Sequence, residues 1–186
     1  MLLPIETRRL LIRLFEDKDL EDILDYSHTA DHWLMRTLKW QPTREGIKKF
    51  WEQRRYLDLS GSMDDIDLVI ELKGQNKVIG NIGMEIARQA ENKQGTIDWL
   101  LGSMFQGQGF ASEAARSFLT FGFDKLELHR ISARTSRDNI RSWLLMERIG
   151  MRREAHFKQS ANVNGEWQDE FIYAVLAEEW HSKQLS

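Results

Sequence analysis

The chain has 186 residues, of which 26 are lysine or arginine and 29 are aspartate or glutamate, so its formal net charge is −3 at pH 7. Because the charges nearly balance and no basic run stands out, non-specific binding of nucleic acid through its phosphates is not expected. The absence of cysteine excludes zinc fingers, iron–sulfur sites, thiol redox chemistry and cysteine nucleophiles.

Length and composition predict a single domain over residues 1–186. A chain of this length can bury a sizeable core without a disulfide or a metal, and its hydrophobic fraction of 41% is typical of a globular protein. No apolar run approaches the ~20 residues of a membrane helix. Met1–Glu6 is too short and too soon charged for a signal peptide. We therefore expect a cytoplasmic protein that acts without a membrane.

The first half of the chain predicts one strand, two helices and a hairpin. Thr43 is a suitable N-cap for the second helix, and Gly74 lies in the turn of the hairpin. The predicted elements in chain order are a strand at Thr7–Phe15, helices at Asp17–His28 and Arg44–Leu59, and strands at Asp67–Leu72 and Val78–Ile86.

The second half alternates strands with helices. Its predicted elements are a strand at Thr96–Leu101, a helix at Ala111–Leu126, a strand at Ile131–Thr135, a helix at Ile140–Ile149, and strands at Arg152–Gln159 and Glu170–Leu176. The complete order is β-α-α-β-β-β-α-β-α-β-β. Strand–helix–strand crossovers of this kind indicate an α/β fold with a mixed (α+β) sheet.

A glycine-rich turn connects the strand that ends near Leu101 to the helix that begins near Ala111. The segment 100–113 has the sequence LLGSMFQGQGFASE. Several backbone N–H groups and the positive end of the helix dipole converge at such a turn, which suits a phosphate group. Glycine permits the backbone to approach that group closely.

Two common phosphate-binding motifs fit this turn poorly. Gly102 and Gly107 have the spacing of a P-loop, but Gln108 and Gly109 stand where lysine and serine or threonine are needed. A dinucleotide fingerprint beginning at Gly107 lacks its third glycine, because Ser112 occupies that position. An NTPase and a dinucleotide-binding protein are thus disfavoured, and an ordinary helix start stays open as the structural alternative.

Several short motifs beyond the turn follow one another along the chain. They are Arg9-Leu10-Leu11-Ile12-Arg13, Gly80-Asn81-Ile82-Gly83, Gln106-x-x-Gly109-x-Ala111, His129-Arg130-Ile131, Asn139-x-x-Ser142, Arg148-Ile149-Gly150-Met151 and Gly165-x-Trp167-x-Asp169 with Tyr173 and Glu179-Trp180. In this order and spacing the chain resembles the RimJ/RimL-type branch of the GNAT superfamily of N-acetyltransferases over nearly its whole length. The motif that begins at Gln106 is similar to the one that holds the coenzyme A pyrophosphate in that superfamily.

The resemblance implies the GNAT fold, acetyl-CoA as donor, and an amine acceptor that attacks the thioester directly through a tetrahedral intermediate. No metal is expected, because His28, His32, His156 and His181 lack the spacing of metal ligands. The acceptor is either a protein N-terminal α-amine or a small primary amine, and homodimer formation stays open. The backbone of the strand that ends at Gly102 is implied to line the pantetheine and the thioester. The residues implied to contact the coenzyme are Leu100, Leu101, Gly102, Gln106, Gly107, Gln108, Gly109, Phe110, Ala111, Ser112, Asn139 and Ser142.

The resemblance also suggests the groups that move protons. Many members of the superfamily protonate the leaving thiolate with a tyrosine, but that position is Met146 here, so Ser142 is the candidate acid or sulfur contact. A helix cap is the alternative role of Ser142. Asp98 is the candidate base, because it lies on the strand itself and shares a face with Thr96 and Leu100. The alternative is that Asp98 is only a polar residue on the solvated face of the sheet, without a catalytic role. Glu85 is a weaker second candidate.

A different class of function stays open as the alternative. Because Met146 cannot donate a proton, the chain could be a non-catalytic acyl-CoA-binding module. Binding without turnover would distinguish that module from an enzyme.

Overall fold

The computed structural model describes residues 2–28, 43–54, 65–87, 93–163 and 165–184. Short 3₁₀ turns lie at Asp17–Asp19 and Ser103–Phe105. The strands and helices in chain order are β1 (Ile5–Glu6), β2 (Leu10–Arg13), α1 (Leu20–His28), α2 (Arg44–Glu52), β3 (Asp65–Leu72), β4 (Lys77–Ala87), β5 (Gln94–Leu101), α3 (Phe110–Asp124), β6 (Arg130–Ser136), α4 (Ile140–Arg148), β7 (Arg152–Val163), β8 (Glu166–Leu176) and α5 (Ala177–Gln184).

The α/β fold class with a mixed sheet is confirmed, and within the described ranges two elements near the two ends add to the predicted order. Strand β1 has only two residues, and helix α5 follows β8. Helix α2 ends at Glu52, and the part of the predicted helix beyond Arg54 lies outside the described residues. The β7–β8 hairpin is longer than predicted, because its polar residues also pair, for example Asn162 with Trp167.

The chain divides into two compact units, the first of which comprises residues 1–84 and 99–118. In this unit β1, β2 and β3 pair antiparallel, with Leu10 opposite Leu72. The centre of its core is Trp51, which is fully buried and stacks on Phe15 with ring centroids 5.7 Å apart. Leu100, near the end of β5, belongs to the same cluster, so the residues that precede the glycine-rich turn are held in a packed core.

A buried ion cluster fixes strand β2 in the first unit. The guanidinium of Arg13 donates to both carboxylate oxygens of Asp19, at 2.7 and 2.8 Å, and to Glu71 Oε2 at 2.6 and 2.8 Å. Burial alone lowers the pKa of Arg13, but the hydrogen bonds to the two carboxylates outweigh it and raise the pKa above its ordinary value. Arg13 therefore has a structural role.

The second unit comprises residues 85–98 and 119–186. Its sheet is mixed, since β5 pairs parallel with β6 while β6 and β7 both pair antiparallel with β8. Ile131, Met146 and Tyr173 are among its buried residues. Within the described ranges, no helix combines the length and the apolar character that a membrane crossing needs.

Candidate functional site

Two glycines of the first unit bring backbones together at the end of β5. A Cβ atom on Gly80 would lie 2.1 Å from the carbonyl oxygen of Leu100, so no other residue fits there. Gly102 donates its N–H to Ile79 O at 2.9 Å, and a Cβ atom on Gly102 would lie 2.7 Å from Cβ of Tyr26. The stretch Leu100–Gly102 is therefore fixed tightly where the chain leaves the sheet.

Side-chain amides brace the turn that follows. Gln106 donates from Nε2 to the carbonyl oxygen of Leu101 at 3.0 Å, and Gln108 donates from Nε2 to that of Met104 at the same distance. Both predicted coenzyme-contacting glutamines thus use side-chain donors to hold the turn. Gln106 therefore has a structural role in addition to any contact with a ligand.

The turn presents a set of unused backbone donors. Gly107 and Gly109 have φ values of +76° and +80°, and the first helical hydrogen bond of α3 runs from Glu113 N to Gly109 O. In the described part of the chain no protein group accepts from the N–H of Gly107, Gln108 or Gly109. Gly107 to Gly109 are also exposed, so these N–H groups and the first turn of α3 suit an anion.

An acidic and a basic side chain flank these donors. Glu113 accepts from Thr7 Oγ1 at 2.6 Å, from Arg9 N at 2.8 Å and from Arg9 Nε at 2.6 Å. Burial raises the pKa of Glu113, but the hydrogen bonds from Thr7 and Arg9 outweigh it and hold the pKa below its ordinary value. The Arg9 guanidinium also donates to the carbonyl oxygen of Gln108 at 3.0 Å and lies 4.3 Å from the centroid of the Phe110 ring.

The predicted coenzyme-contacting residues from Leu100 to Ser112 thus form one continuous segment in the first unit, whereas Asn139 and Ser142 lie in the second. Asn139 is the N-cap of α4, where its Oδ1 accepts from Ser142 N at 3.2 Å. The half-buried Ser142 hydroxyl contacts no hydrogen-bond partner among the described residues, so capping is the role of Asn139. Met146, further along the same helix, is buried.

The candidate base Asp98 is exposed on β5 in the second unit. Thr96 shares its strand face and lies with Oγ1 3.3 Å from Oγ of Ser132 on the adjacent strand. Glu85, the second candidate, is also exposed, near the end of β4. Asp98 therefore lies on a polar, accessible surface, where water or an amine can reach its carboxylate.

Two polar features of the second unit were not predicted. His156 Nε2 lies 2.6 Å from Asp169 Oδ2, and Gln159 donates its N–H to Oδ1 of the same carboxylate at 2.9 Å. These hydrogen bonds, from Gln159 first and then His156, lower the pKa of Asp169. Thr135 is buried, and its hydroxyl has no hydrogen-bond partner in the described residues. Within those residues no group of three or more potential ligands is arranged to hold a metal.

Comparisons with known proteins agree on one family. The family described as "Acetyltransferase (GNAT) domain" matches residues 9–152. An uncharacterized N-acetyltransferase of Bacillus subtilis (strain 168), YnaD, is 34% identical over 95% of this chain and 99% of its own. The [Ribosomal protein uS5]-alanine N-acetyltransferase of Escherichia coli (strain K12) is 24% identical over 95% of this chain and 92% of its own. The solved structure of RimL, a ribosomal L7/L12 alpha-N-protein acetyltransferase in complex with coenzyme A, superposes with a TM-score of 0.80 at 23% identity and covers 94% of this chain and 98% of its own.

Proposed function

The chain belongs to the GNAT acetyltransferase family, in its RimJ/RimL-type branch, and from this premise we propose that it transfers the acetyl group of acetyl-CoA to a primary amine. The observation that carries the proposal is the set of unused N–H donors at Gly107, Gln108 and Gly109, directly before α3. Neutral donors that converge at a helix N-terminus bind phosphate without a lysine-containing P-loop.

These residues fit a coenzyme A pyrophosphate. The positive φ values of Gly107 and Gly109 turn the backbone so that no side chain covers the donors, and nothing lies within 4 Å of a Cβ atom built on Gly107. Acetyl-CoA, when bound, supplies the thioester from which the acetyl group is transferred. Phe110, Ala111 and Ser112 are proposed to complete the phosphate contacts, and Leu100 and Leu101 to contact the pantetheine arm.

Main-chain donors are proposed to stabilise the oxyanion that develops during acyl transfer. The N–H of Gly102 is already committed to Ile79 O at 2.9 Å. Within the predicted stretch, that role is therefore assigned to the N–H of Leu100 or Leu101. A substitution of their side chains tests this role poorly, because the donor belongs to the backbone.

Ser142 is proposed to assist the leaving thiolate as a proton relay: its hydroxyl hydrogen bonds to the sulfur and passes a proton to it while taking a replacement proton from water. Its hydroxyl is not used in capping, because Asn139 fills that role, and Met146 has no proton to donate. A thiol with a pKa of ~8.5 leaves near neutral pH as the thiolate with modest assistance, so a hydroxyl that hydrogen bonds to the sulfur suffices and a stronger acid such as tyrosine is not required. The amide nitrogen of Asn139 stays available for the pantetheine arm.

Asp98 is proposed to accept the proton of the attacking amine, directly or through water. The need for a base depends on the acceptor, since an α-amine with a pKa of ~7.7–8.0 is partly neutral at pH 7 and a lysine-like amine with a pKa of ~10.4 is not. We propose a protein N-terminal α-amine as the acceptor, because RimL is named as an alpha-N-protein acetyltransferase and the Escherichia coli relative is named for an alanine of ribosomal protein uS5. A small primary amine is the alternative acceptor.

The experiment is an acceptor panel. Purified protein is incubated with acetyl-CoA and, in separate reactions, with peptides of free N-terminus, matched N-blocked peptides that contain lysine, polyamines and amino-acid amides. Release of the coenzyme thiol with the free-N-terminus peptides alone supports the proposed acceptor. Turnover with polyamines or amino-acid amides alone assigns the small-amine alternative, whereas calorimetric binding of acetyl-CoA without turnover assigns a binding module.

A further inference from the structure

The turn proposed to hold a pyrophosphate has no positive charge of its own. Residues 100–113 contain no lysine or arginine, and their one charged side chain is the carboxylate of Glu113. A pyrophosphate diester carries two negative charges at neutral pH. Backbone N–H groups and a helix dipole favour such a ligand, but charge-assisted hydrogen bonds from a cation are about twice as strong as neutral ones. A cation is therefore expected from another part of the chain.

The structure places Arg9 in that position. Its guanidinium donates from Nη1 to the carbonyl oxygen of Gln108 at 3.0 Å and lies over the Phe110 ring. Arg9 Nη2 is 3.4 Å from the position that a Cβ atom would occupy on Gly109. The guanidinium therefore borders the turn at its last glycine, and 33% of the Arg9 side chain is exposed to solvent.

The hydrogen bonds of Arg9 leave part of its guanidinium unused. Arg9 Nε donates to Glu113 and Nη1 donates to Gln108, while Nη2 donates to no protein group among the described residues. Arg13, at the end of strand β2, differs because Asp19 and Glu71 occupy its Nη2 as well as its other nitrogens. A guanidinium has five N–H donors in a planar fork, so Arg9 retains donors for a ligand and Arg13 does not.

We propose that Arg9 is a further coenzyme-binding residue, whose Nη2 donates to the pyrophosphate held by the turn at Gly107–Gly109. The inference rests on the proposed use of acetyl-CoA. Glu113 holds the guanidinium in place before the ligand binds, so that little side-chain entropy is lost on binding. The ion pair is thus a positioning device, and the cation that it positions contacts the ligand.

The test is calorimetric binding of coenzyme A, dephospho-coenzyme A and pantetheine to wild type and to Arg9→Ala. Because Arg9→Ala loses a charge-assisted hydrogen bond, we expect its affinity for coenzyme A to fall roughly 10- to 100-fold. The affinity for dephospho-coenzyme A should fall by the same factor, because this ligand keeps the pyrophosphate. The affinity for pantetheine, which lacks the pyrophosphate, should not change. The matched control is Arg8→Ala, which removes an equal charge from an exposed neighbour and should leave all affinities unchanged.

A second variant separates direct contact from an effect through the ion pair. Glu113→Gln removes the ion pair that positions Arg9 but keeps the cation itself and an amide oxygen to accept from Thr7, so coenzyme A should bind less tightly than to wild type but clearly more tightly than to Arg9→Ala. Equal weakening in Glu113→Gln and Arg9→Ala would overturn the proposal, because Arg9 would then act only through Glu113. Unchanged affinity for coenzyme A in Arg9→Ala would overturn the proposal as well. So would a loss of affinity for coenzyme A but not for dephospho-coenzyme A, because Arg9 would then contact the 3′-phosphate and not the pyrophosphate. Absence of coenzyme binding by wild type would instead refute the proposed function.

Discussion

Substitution of Gly109 by valine tests the coenzyme turn most sharply, because a matched control exists in the same unit. Gly109 has φ +80°, and Gly74, in the β3–β4 turn, has φ +82° with nothing within 4 Å of a built Cβ atom. A non-glycine residue in this conformation costs about 1–2 kcal/mol, and a β-branched one more. Gly109→Val and Gly74→Val should therefore lose similar free energies of unfolding.

Coenzyme binding should differ greatly between the two variants. A valine at Gly109 meets Arg9 Nη2 at 3.4 Å and places its methyl groups beside the N–H donors of the turn. Loss of two charge-assisted hydrogen bonds at about 1.5 kcal/mol each amounts to about 3 kcal/mol, a loss of affinity of more than about 100-fold. We expect Gly74→Val to bind coenzyme A as wild type does.

The assay combines thermal unfolding with calorimetric titration of coenzyme A. Wild-type affinity in a folded Gly109→Val protein would refute the assignment of the pyrophosphate to this turn. An equal loss of affinity in Gly74→Val would show that backbone strain alone, rather than obstruction of the donors, accounts for the effect.

Four further predictions follow from individual side chains. In Ser142→Ala we expect kcat to fall roughly 10- to 100-fold with little change in KM for acetyl-CoA; a change in KM alone would show that the hydroxyl only binds the coenzyme. In Asp98→Asn the rate should fall most at low pH and recover partly as the amine deprotonates unaided, whereas a wild-type pH profile would remove Asp98 from the mechanism. Because the pKa of Glu113 is lowered in the folded state, its stabilisation is full above its unfolded pKa of ~4.3 and declines as the pH falls through the lower folded value. The difference in unfolding free energy between wild type and Glu113→Gln should accordingly shrink below about pH 4, and a constant difference would contradict the lowered pKa. Thr135→Val should raise the unfolding free energy by about 1 kcal/mol, because it removes a buried hydroxyl that has no partner among the described residues, and denaturant unfolding that shows a loss would contradict this.

Local patterns were sufficient to predict most helices and strands and the glycine-rich turn. Thr43 caps α2 as its residue type predicts, with Oγ1 accepting from Gly46 N at 3.1 Å. Strand β1 has two residues, which is too short for any periodicity to be seen. Its pairing with β2 is a tertiary contact that the sequence of either segment does not reveal.

The parts of the candidate site that escaped prediction depend on contacts between distant residues. Arg9 and Glu113 are 104 positions apart, and only the tertiary contact of the segment before β2 with the start of α3 brings them together. The absence of lysine and arginine from residues 100–113 indicates that a cation for the phosphates comes from elsewhere in the chain, but it does not indicate which one. His156 and Asp169 pair across a hairpin whose register shifts between Phe157 and Ala161, so their spacing does not reveal the contact.

Acyl transfer by this protein is tested most directly with acetyl-CoA that is labelled in its acetyl group and with mass spectrometry of the products. A peptide with a free N-terminus is incubated with the labelled donor and the protein, and the label on the peptide is compared with the coenzyme thiol released. Equal amounts of both are expected, with the label on the α-amine and both signals lost in Gly109→Val. Thiol release without labelled peptide, or acetyl-CoA binding with neither signal for any amine, would contradict this expectation.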